Sequence, residues 1–403
     1  MSEPLATTVT SLPFNPATAP QSAPSKSHHV LSPGSTTPKK FRNVHTSWNP
    51  AFDGSIIPIF LAIVRLRLTG KLPWPSTSPE LRAPVVKPTF LPSRTGSASN
   101  NNKLRATWLG HACFYVEFPS GLRVLFDPVF ESACSPIGFL GPHRYTPPPC
   151  QIRDLPLVDA VVISHSHYDH LSSPSIKEVV AAHPNAHFFV GLGLAKWFHR
   201  SGIQKVTEMD WWDQAEITLS AGNAGSDSAE IKGVVSCLPC QHSSGRTLRD
   251  KDTTLWASWS VLSGGKSVYF AGDTGYRALP TKPPAGPIED ADSKAYGELE
   301  YLPGCPSFRE IGQFRGPFDL GLIPIGAYKP RQWMSPVHAS PEDAVEIFRD
   351  TRCQRALGMH WGTWVLTTEE IDEPPKKLRE GMKAKGLDEG LFGVVDIGGS
   401  AEY

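Results

Sequence analysis

The run Ile163-Ser164-His165-Ser166-His167-Tyr168-Asp169-His170-Leu171 carries the pattern H-x-H-x-D-H directly behind the apolar stretch Ala160 to Ile163. A strand that ends in such a loop presents three imidazoles and a carboxylate from one turn. Those groups are good ligands for a borderline divalent cation such as zinc. Neighbouring side chains of a turn point to different sides, so the four groups His165, His167, Asp169 and His170, spread over six positions, can serve two ions. The plain alternative is a polar loop whose histidines only hydrogen-bond, which suits a lone histidine better than this cluster.

One loop does not complete two coordination spheres, so distant ligands are needed. His242 follows the strand ending near Leu238, Asp273 follows Val268-Tyr269-Phe270-Ala271-Gly272, and His360 follows Ala356-Leu357-Gly358-Met359. Strand ends running into loops are where α/β enzymes collect functional groups. Taken singly, Asp273 reads equally well as a helix cap and His242 as an ordinary surface residue. Their joint occurrence with the loop points to a metal centre.

Around these residues the pattern is that of an α/β catalytic domain, two-layered or four-layered, over residues 103–403. Strands are expected at Ala106 to Leu109, Cys113 to Phe118, Leu122 to Phe126, Ala160 to Ile163, Phe188 to Val190, Ile231 to Leu238, Leu255 to Leu262, Ser267 to Ala271, Leu320 to Pro324 and Ala356 to Met359. Helices are expected at Pro174 to Ala182, Leu194 to Arg200, Pro341 to Arg349 and Pro375 to Lys385. A Pro/Gly/acidic stretch over residues 277–306 is long for an internal connection and reads as a surface insertion.

Ahead of this domain, residues 1–40 are rich in Ser, Thr, Pro and Ala and read as a disordered tail. Arginine is absent before Arg42, which weakens the alternative of an organelle-targeting peptide. Residues 41–102 combine an apolar, basic segment with a Pro/Ser/Thr/Asn-rich linker from about Ser76 to Asn102. In that segment Ile56, Ile57, Ile59, Phe60 and Leu61 lie near Arg65, Arg67 and Lys71, with Trp74 at its end. It either lies in a membrane interface or packs across the catalytic domain.

The 403 residues carry 39 basic and 39 acidic side chains, and this balance argues against a nucleic-acid partner. With 39 prolines and 34 glycines the chain is loop-rich, which excludes a coiled coil or helical solenoid. Seven scattered cysteines make a disulfide framework improbable and point to a reducing, intracellular compartment. No secretory signal is evident, and no stretch approaches the ~20 apolar residues that cross a bilayer. Cys237 and Cys240 read as ordinary thiols, and Trp211, Trp212, Trp256 and Trp259 as core or groove walls.

The metal loop, His242, the Ala-Gly-Asp containing Asp273, and His360 together resemble the αβ/βα metallo-β-lactamase fold. More narrowly, Trp108-Leu109-Gly110-His111, Asp127-Pro128-Val129-Phe130, Cys240-Gln241-His242, Ala271-Gly272-Asp273-Thr274-Gly275-Tyr276, Ile325-Gly326-Ala327-Tyr328 and His360-Trp361-Gly362-Thr363 resemble the N-acylphosphatidylethanolamine-hydrolysing phospholipase D family, in order and spacing from about Arg105 onward. The resemblance implies two zinc ions: one held by His165, His167 and His242, the other by Asp169, His170 and His360, with Asp273 bridging. It implies direct attack of a metal-bridging hydroxide on phosphorus, giving N-acylethanolamine and phosphatidic acid. Tyr168 and His338 match positions that contact the substrate phosphate region, His338 as a donor to the phosphate or leaving oxygen. The less favoured alternative is that His338 is a helix neighbour without a catalytic part. A peripheral, membrane-bound homodimer on the cytosolic face of endomembranes or in mitochondria is also implied. The alternatives are a lactonase or nuclease of the same fold, or a catalytically silent lipid-binding homologue.

Overall fold

The computed structural model describes residues 5–50, 65, 68–70, 74–91, 94, 102–220, 230–247, 249–279 and 301–403. Its strands are β1 (Ala6–Leu12), β2 (His29–Leu31), β3 (Pro38–Phe41), β4 (Arg105–Gly110), β5 (Cys113–Glu117), β6 (Arg123–Phe126), β7 (Ala160–Val162), β8 (His187–Gly191) and β9 (Val206–Met209). They continue with β10 (Gln214–Ser220), β11 (Ile231–Leu238), β12 (Ser258–Ser263), β13 (Lys266–Phe270), β14 (Phe318–Pro324), β15 (Cys353–Met359), β16 (Phe392–Gly393) and β17 (Ser400–Glu402). Among the described residues the α-helices are α1 (Ser173–Ala182), α2 (Ala195–Arg200), α3 (Ser307–Phe314), α4 (Arg331–Met334), α5 (Pro341–Asp350) and α6 (Glu373–Ala384).

Two sheets face each other. One has the order β1-β10-β11-β12-β13-β14-β15-β16, the other β17-β4-β5-β6-β7-β8-β9. In the second, side chains alternate between two apolar layers because strand residues point to opposite faces in turn. Trp108, Phe114, Val116, Phe126, Val162 and Phe189 enter the core between the sheets, joining Ile217, Val235, Trp259, Phe270 and Leu322 from the other sheet. Leu109, Tyr115, Leu125, Val161 and Phe188 face outward onto Ile176 and Val179 of α1 and Phe198 of α2. Apolar residues on both faces explain why these strands read as continuous hydrophobic runs. The result is the αβ/βα sandwich that the sequence resembles.

From Leu5 onward, the first forty residues overturn the expectation of disorder. β1 adds antiparallel to β10 at the edge of the larger sheet, Ala6 opposite Ser220 and Leu12 opposite Gln214. β2 and β3 form a hairpin that buries Phe41. Thr7, Thr8, Val9 and Thr10 are short of bulk but β-branched, and an edge offers them ladder hydrogen bonds that composition does not count. The described part of the expected linker is also tied to the domain by its backbone: Val85 bridges Ile397, and the Val86 amide donates to the Ile397 carbonyl at 2.8 Å.

Most of the apolar, basic segment, Ile56 to Phe60 included, lies outside the described residues, as do 280–300 of the expected insertion. Among the described residues no helix is long and apolar enough to cross a membrane. The expected strand from Leu255 begins only at Ser258, because the Ala257 amide donates to the Ser164 carbonyl at 3.0 Å and commits that stretch to the metal loop. Cys237 and Cys240 are buried thiols, and the four tryptophans Trp211, Trp212, Trp256 and Trp259 belong to the core.

Candidate active site

β6, β7, β8 and β9 run parallel, as do β13, β14, β15 and β16. The carboxyl ends of these parallel runs deliver the functional loops to one edge of the seam between the sheets. The loop after β7 is stapled at both ends. Arg246 donates through Nη1 to the carbonyls of Ser166 at 2.8 Å and Leu171 at 2.7 Å, and its guanidinium lies 3.9 Å from the centre of the Tyr168 ring. The Tyr168 hydroxyl in turn donates to the Arg246 carbonyl at 3.1 Å. Between the staples, the His170 and Leu171 amides donate to the His167 carbonyl, so the loop closes a helical turn.

All seven expected ligands converge. His165, His167 and His242 form one compact group, with His165 Nε2 2.7 Å from His167 Nδ1, and His242 Nε2 3.3 Å from that same atom. Asp169, His170 and His360 form a second group, which His111 joins. Asp273 stands between them: Oδ2 is 3.8 Å from both His165 Nε2 and His242 Nε2 and 3.1 Å from His170 Nε2, while Oδ1 is 3.0 Å from His360 Nε2. His338 lies beside this group, its Nε2 4.0 Å from Asp273 Oδ2 and its ring 5.2 Å from that of His242. Tyr168 stands with its hydroxyl engaged by Arg246 rather than free.

The donor set fits divalent cations. His170 Nε2, His360 Nε2 and Asp273 Oδ1 are buried, and their close mutual contacts make no aligned hydrogen bond, although buried polar atoms are nearly always paired. Each points into the space that the two groups share. Burial holds the imidazoles of His165 and His242 well below the ordinary histidine range, with neighbouring imidazoles adding to the effect, so each ring keeps one unprotonated nitrogen. Burial works against ionisation of Asp169 and Asp273, yet the imidazoles of His170 and its neighbours outweigh it and hold both carboxyls well below their usual range. Burial also opposes a proton on His360, but Asp273 and Asp169 push it up to about 9. Such a crowd of anionic and imidazole groups, stripped of water, is the electrostatic setting that bound cations satisfy.

Several contributors escaped the sequence reading, although most lie inside the quoted motifs. Asp127, at the end of β6, accepts from the Ser164 amide at 2.7 Å and from His170 Nδ1 at 2.7 Å. His111, in the turn between β4 and β5, has its Nε2 3.0 Å from Asp169 Oδ2 and its ring 4.0 Å from that of His360. Gln241 joins three loops: its amide donates to Thr274 Oγ1, its side chain donates to the Pro336 carbonyl, and the Ser47 hydroxyl donates to its Oε1. The signal for Asp127 was present, a carboxylate immediately behind a strand, but the partner that gives it meaning lies forty-three residues away.

Comparison with known proteins agrees with this geometry. Residues 122–283 and 288–361 match the β-lactamase superfamily domain. N-acyl-phosphatidylethanolamine-hydrolyzing phospholipase D 1 of Caenorhabditis elegans is 37% identical over 302 residues, covering 73% of this chain and 74% of that protein. The mitochondrial N-acyl-phosphatidylethanolamine-hydrolyzing phospholipase D of Saccharomyces cerevisiae is 32% identical over 273 residues, covering 68% of this chain and 50% of that protein. Among solved structures, a metallo hydrolase of Ignicoccus hospitalis superposes with a TM-score of 0.46 at 20% identity, covering 75% of this chain and 98% of that one. With its imidazoles and carboxylates gathered at the seam of an αβ/βα sandwich, the chain is a metal-dependent hydrolase and belongs to the N-acylphosphatidylethanolamine-hydrolysing phospholipase D family of the β-lactamase superfamily.

Proposed function

We propose that this protein is a zinc-dependent phosphodiesterase of phospholipase D type, cleaving N-acylphosphatidylethanolamine to N-acylethanolamine and phosphatidic acid. The observation that carries the proposal is the reach of one carboxylate, Asp273, to imidazoles of both groups. In this reading His165, His167 and His242 hold one zinc ion, Asp169, His170 and His360 hold the other, and Asp273 serves both. Bound there, the cations supply Lewis acidity that favours deprotonated water near neutral pH and neutralises charge growing on a phosphoryl oxygen.

The rest is the work of the chain's own residues. Asp127 holds the proton of His170 on Nδ1 and so leaves Nε2 facing the centre. The Val337 carbonyl does the same for His242, accepting from Nδ1 at 2.8 Å. His338, brought down to about 4 mainly by burial, is neutral at pH 7 and offers an N–H rather than a positive charge. That N–H donates to a phosphate oxygen or to the departing ethanolamine oxygen. Tyr168 and Arg246 form the adjoining wall and keep the loop in shape. Water adds to phosphorus, the bond from phosphorus to the ethanolamine oxygen breaks, and that oxygen leaves with a proton. No covalent enzyme intermediate is involved.

The same proposal includes work at a phospholipid surface as a peripheral homodimer, with no nucleic-acid partner. The yeast relative's mitochondrial designation supports an internal membrane as the place of action. Product analysis on mixed phospholipid vesicles in water labelled with heavy oxygen tests the chemistry. The label is expected in phosphatidic acid, with N-acylethanolamine released unlabelled. Turnover of a lactone or an RNA precursor in place of the phospholipid would overturn it.

A further inference from the structure

His242 lies beyond the end of its strand. β11 ends at Leu238, and the turn beyond it is tied to its surroundings mainly through side chains. Two of the ties come from the N-terminal residues 41–49. Asn43 Nδ2 donates to the His242 carbonyl at 2.7 Å. The Ser47 hydroxyl, fully buried, donates to Gln241 Oε1 at 2.6 Å, and Gln241 Nε2 donates back to the Ser47 carbonyl at 3.3 Å. The same stretch is anchored on either side of the centre. The Phe41 amide donates to the Asp252 carbonyl at 2.8 Å, in the loop after His242. The Ala278 amide donates to the Ser47 carbonyl at 2.9 Å, in the loop after Asp273. His45 Nε2 lies 2.8 Å from the hydroxyl of Ser307, the first residue of α3.

From this arrangement we infer that Asn43 and Ser47 are positioning residues for the metal centre, acting through His242 and Gln241. The stretch 41–49 spans the two loops that carry His242 and Asp273 and fixes their separation from outside. Gln241 passes the constraint on, because its backbone pairs with Gly275 and its side chain reaches Pro336, two residues before His338. Metal ligands tolerate little displacement, and outer hydrogen-bond partners typically matter about 10–100-fold in metal affinity. By linkage, cations that need the strap in place must also tighten the strap. The inference rests on the ligand assignment proposed above.

The test uses the full chain and zinc alone. Zinc affinity is measured by chelator competition for wild type, Asn43→Ala, Ser47→Ala and the exposed control Thr46→Ala, together with hydrogen exchange of residues 41–49 with and without zinc. The expected result is about 10–100-fold weaker zinc binding for Asn43→Ala and Ser47→Ala, wild-type binding for Thr46→Ala, and zinc-dependent protection of the strap that Asn43→Ala abolishes. The Asn43 variant alone decides the matter if the buried Ser47 change impairs folding. Unchanged zinc affinity in Asn43→Ala, or strap exchange indifferent to zinc, overturns the positioning role while leaving the metal centre standing. Wild-type protein that takes up no zinc overturns both, and so marks the failure of the ligand assignment itself.

Discussion

His170 Nδ1 donates a hydrogen bond of 2.7 Å to Asp127 Oδ2, a contact buried between the end of β6 and the metal loop. A carboxylate at this place fixes both the tautomer and the ring plane of His170. Asp127→Asn keeps the shape but offers an amide that satisfies the ring equally well in either tautomer. The variant is expected to bind zinc about 10–100-fold more weakly, measured by chelator competition, with its fold intact by circular dichroism.

Asp273 reaches imidazoles of both groups, so in the proposed scheme its loss removes charge that serves both at once. Asp273→Asn is expected to lower kcat/KM by about 3–5 kcal/mol in transition-state terms, more than a hundredfold. Steady-state assays on vesicles, with metal content measured in parallel, check this. Full turnover would remove Asp273 from the centre of the scheme.

Gly272 precedes Asp273 with φ at +60°, and a Cβ there would stand 2.7 Å from the Ser164 Cβ. An alanine must therefore push the aspartate loop and the histidine loop apart. Gly272→Ala is expected to lose most of its bound metal and to melt at lower temperature than wild type, read by elemental analysis and calorimetry. Retention of metal at wild-type levels would mean that the loops adjust independently.

His187 begins β8, away from the centre, with Nε2 2.8 Å from Thr207 Oγ1. Burial, helped by Lys205, brings its pKa from the usual 6.5 to about 4. A depressed folded value means that protonation favours the unfolded chain. The stabilising contribution is therefore whole above pH 6.5 and fades as pH falls through about 4. His187→Gln is expected to show a shallower fall in melting temperature between those limits than wild type. Parallel curves for the two proteins would rule His187 out of acid sensitivity.

The metal loop was legible because its chemistry is local: imidazoles and a carboxylate crowd one turn after a strand. His242, Asp273 and His360 were legible because each follows an apolar run. Helices α1 and α5 form where expected, and the structure adds their caps, Ser172 and Ser340, whose side chains accept from the amides of Ser175 and Asp343. β10 was missed although Ala215, Ile217 and Leu219 alternate inward between polar residues, a signal that period-two counting detects. β1 was missed for a different reason: it has little burial of its own and is held by the edge of β10, a partner that only the folded sheet provides. The contacts of His111 with Asp169 and of Asn43 with His242 were likewise invisible, since each joins residues far apart in the chain.

The seam between the sheets has one more consequence, for the growing polypeptide. One sheet contributes the loop from His165 to His170, and the other contributes His242, Asp273 and, last in chain order, His360. A polypeptide that has not yet reached His360 therefore holds only part of the candidate ligand set. The candidate ligand set is complete only when both sheets are joined, so occupancy by metal would certify that union.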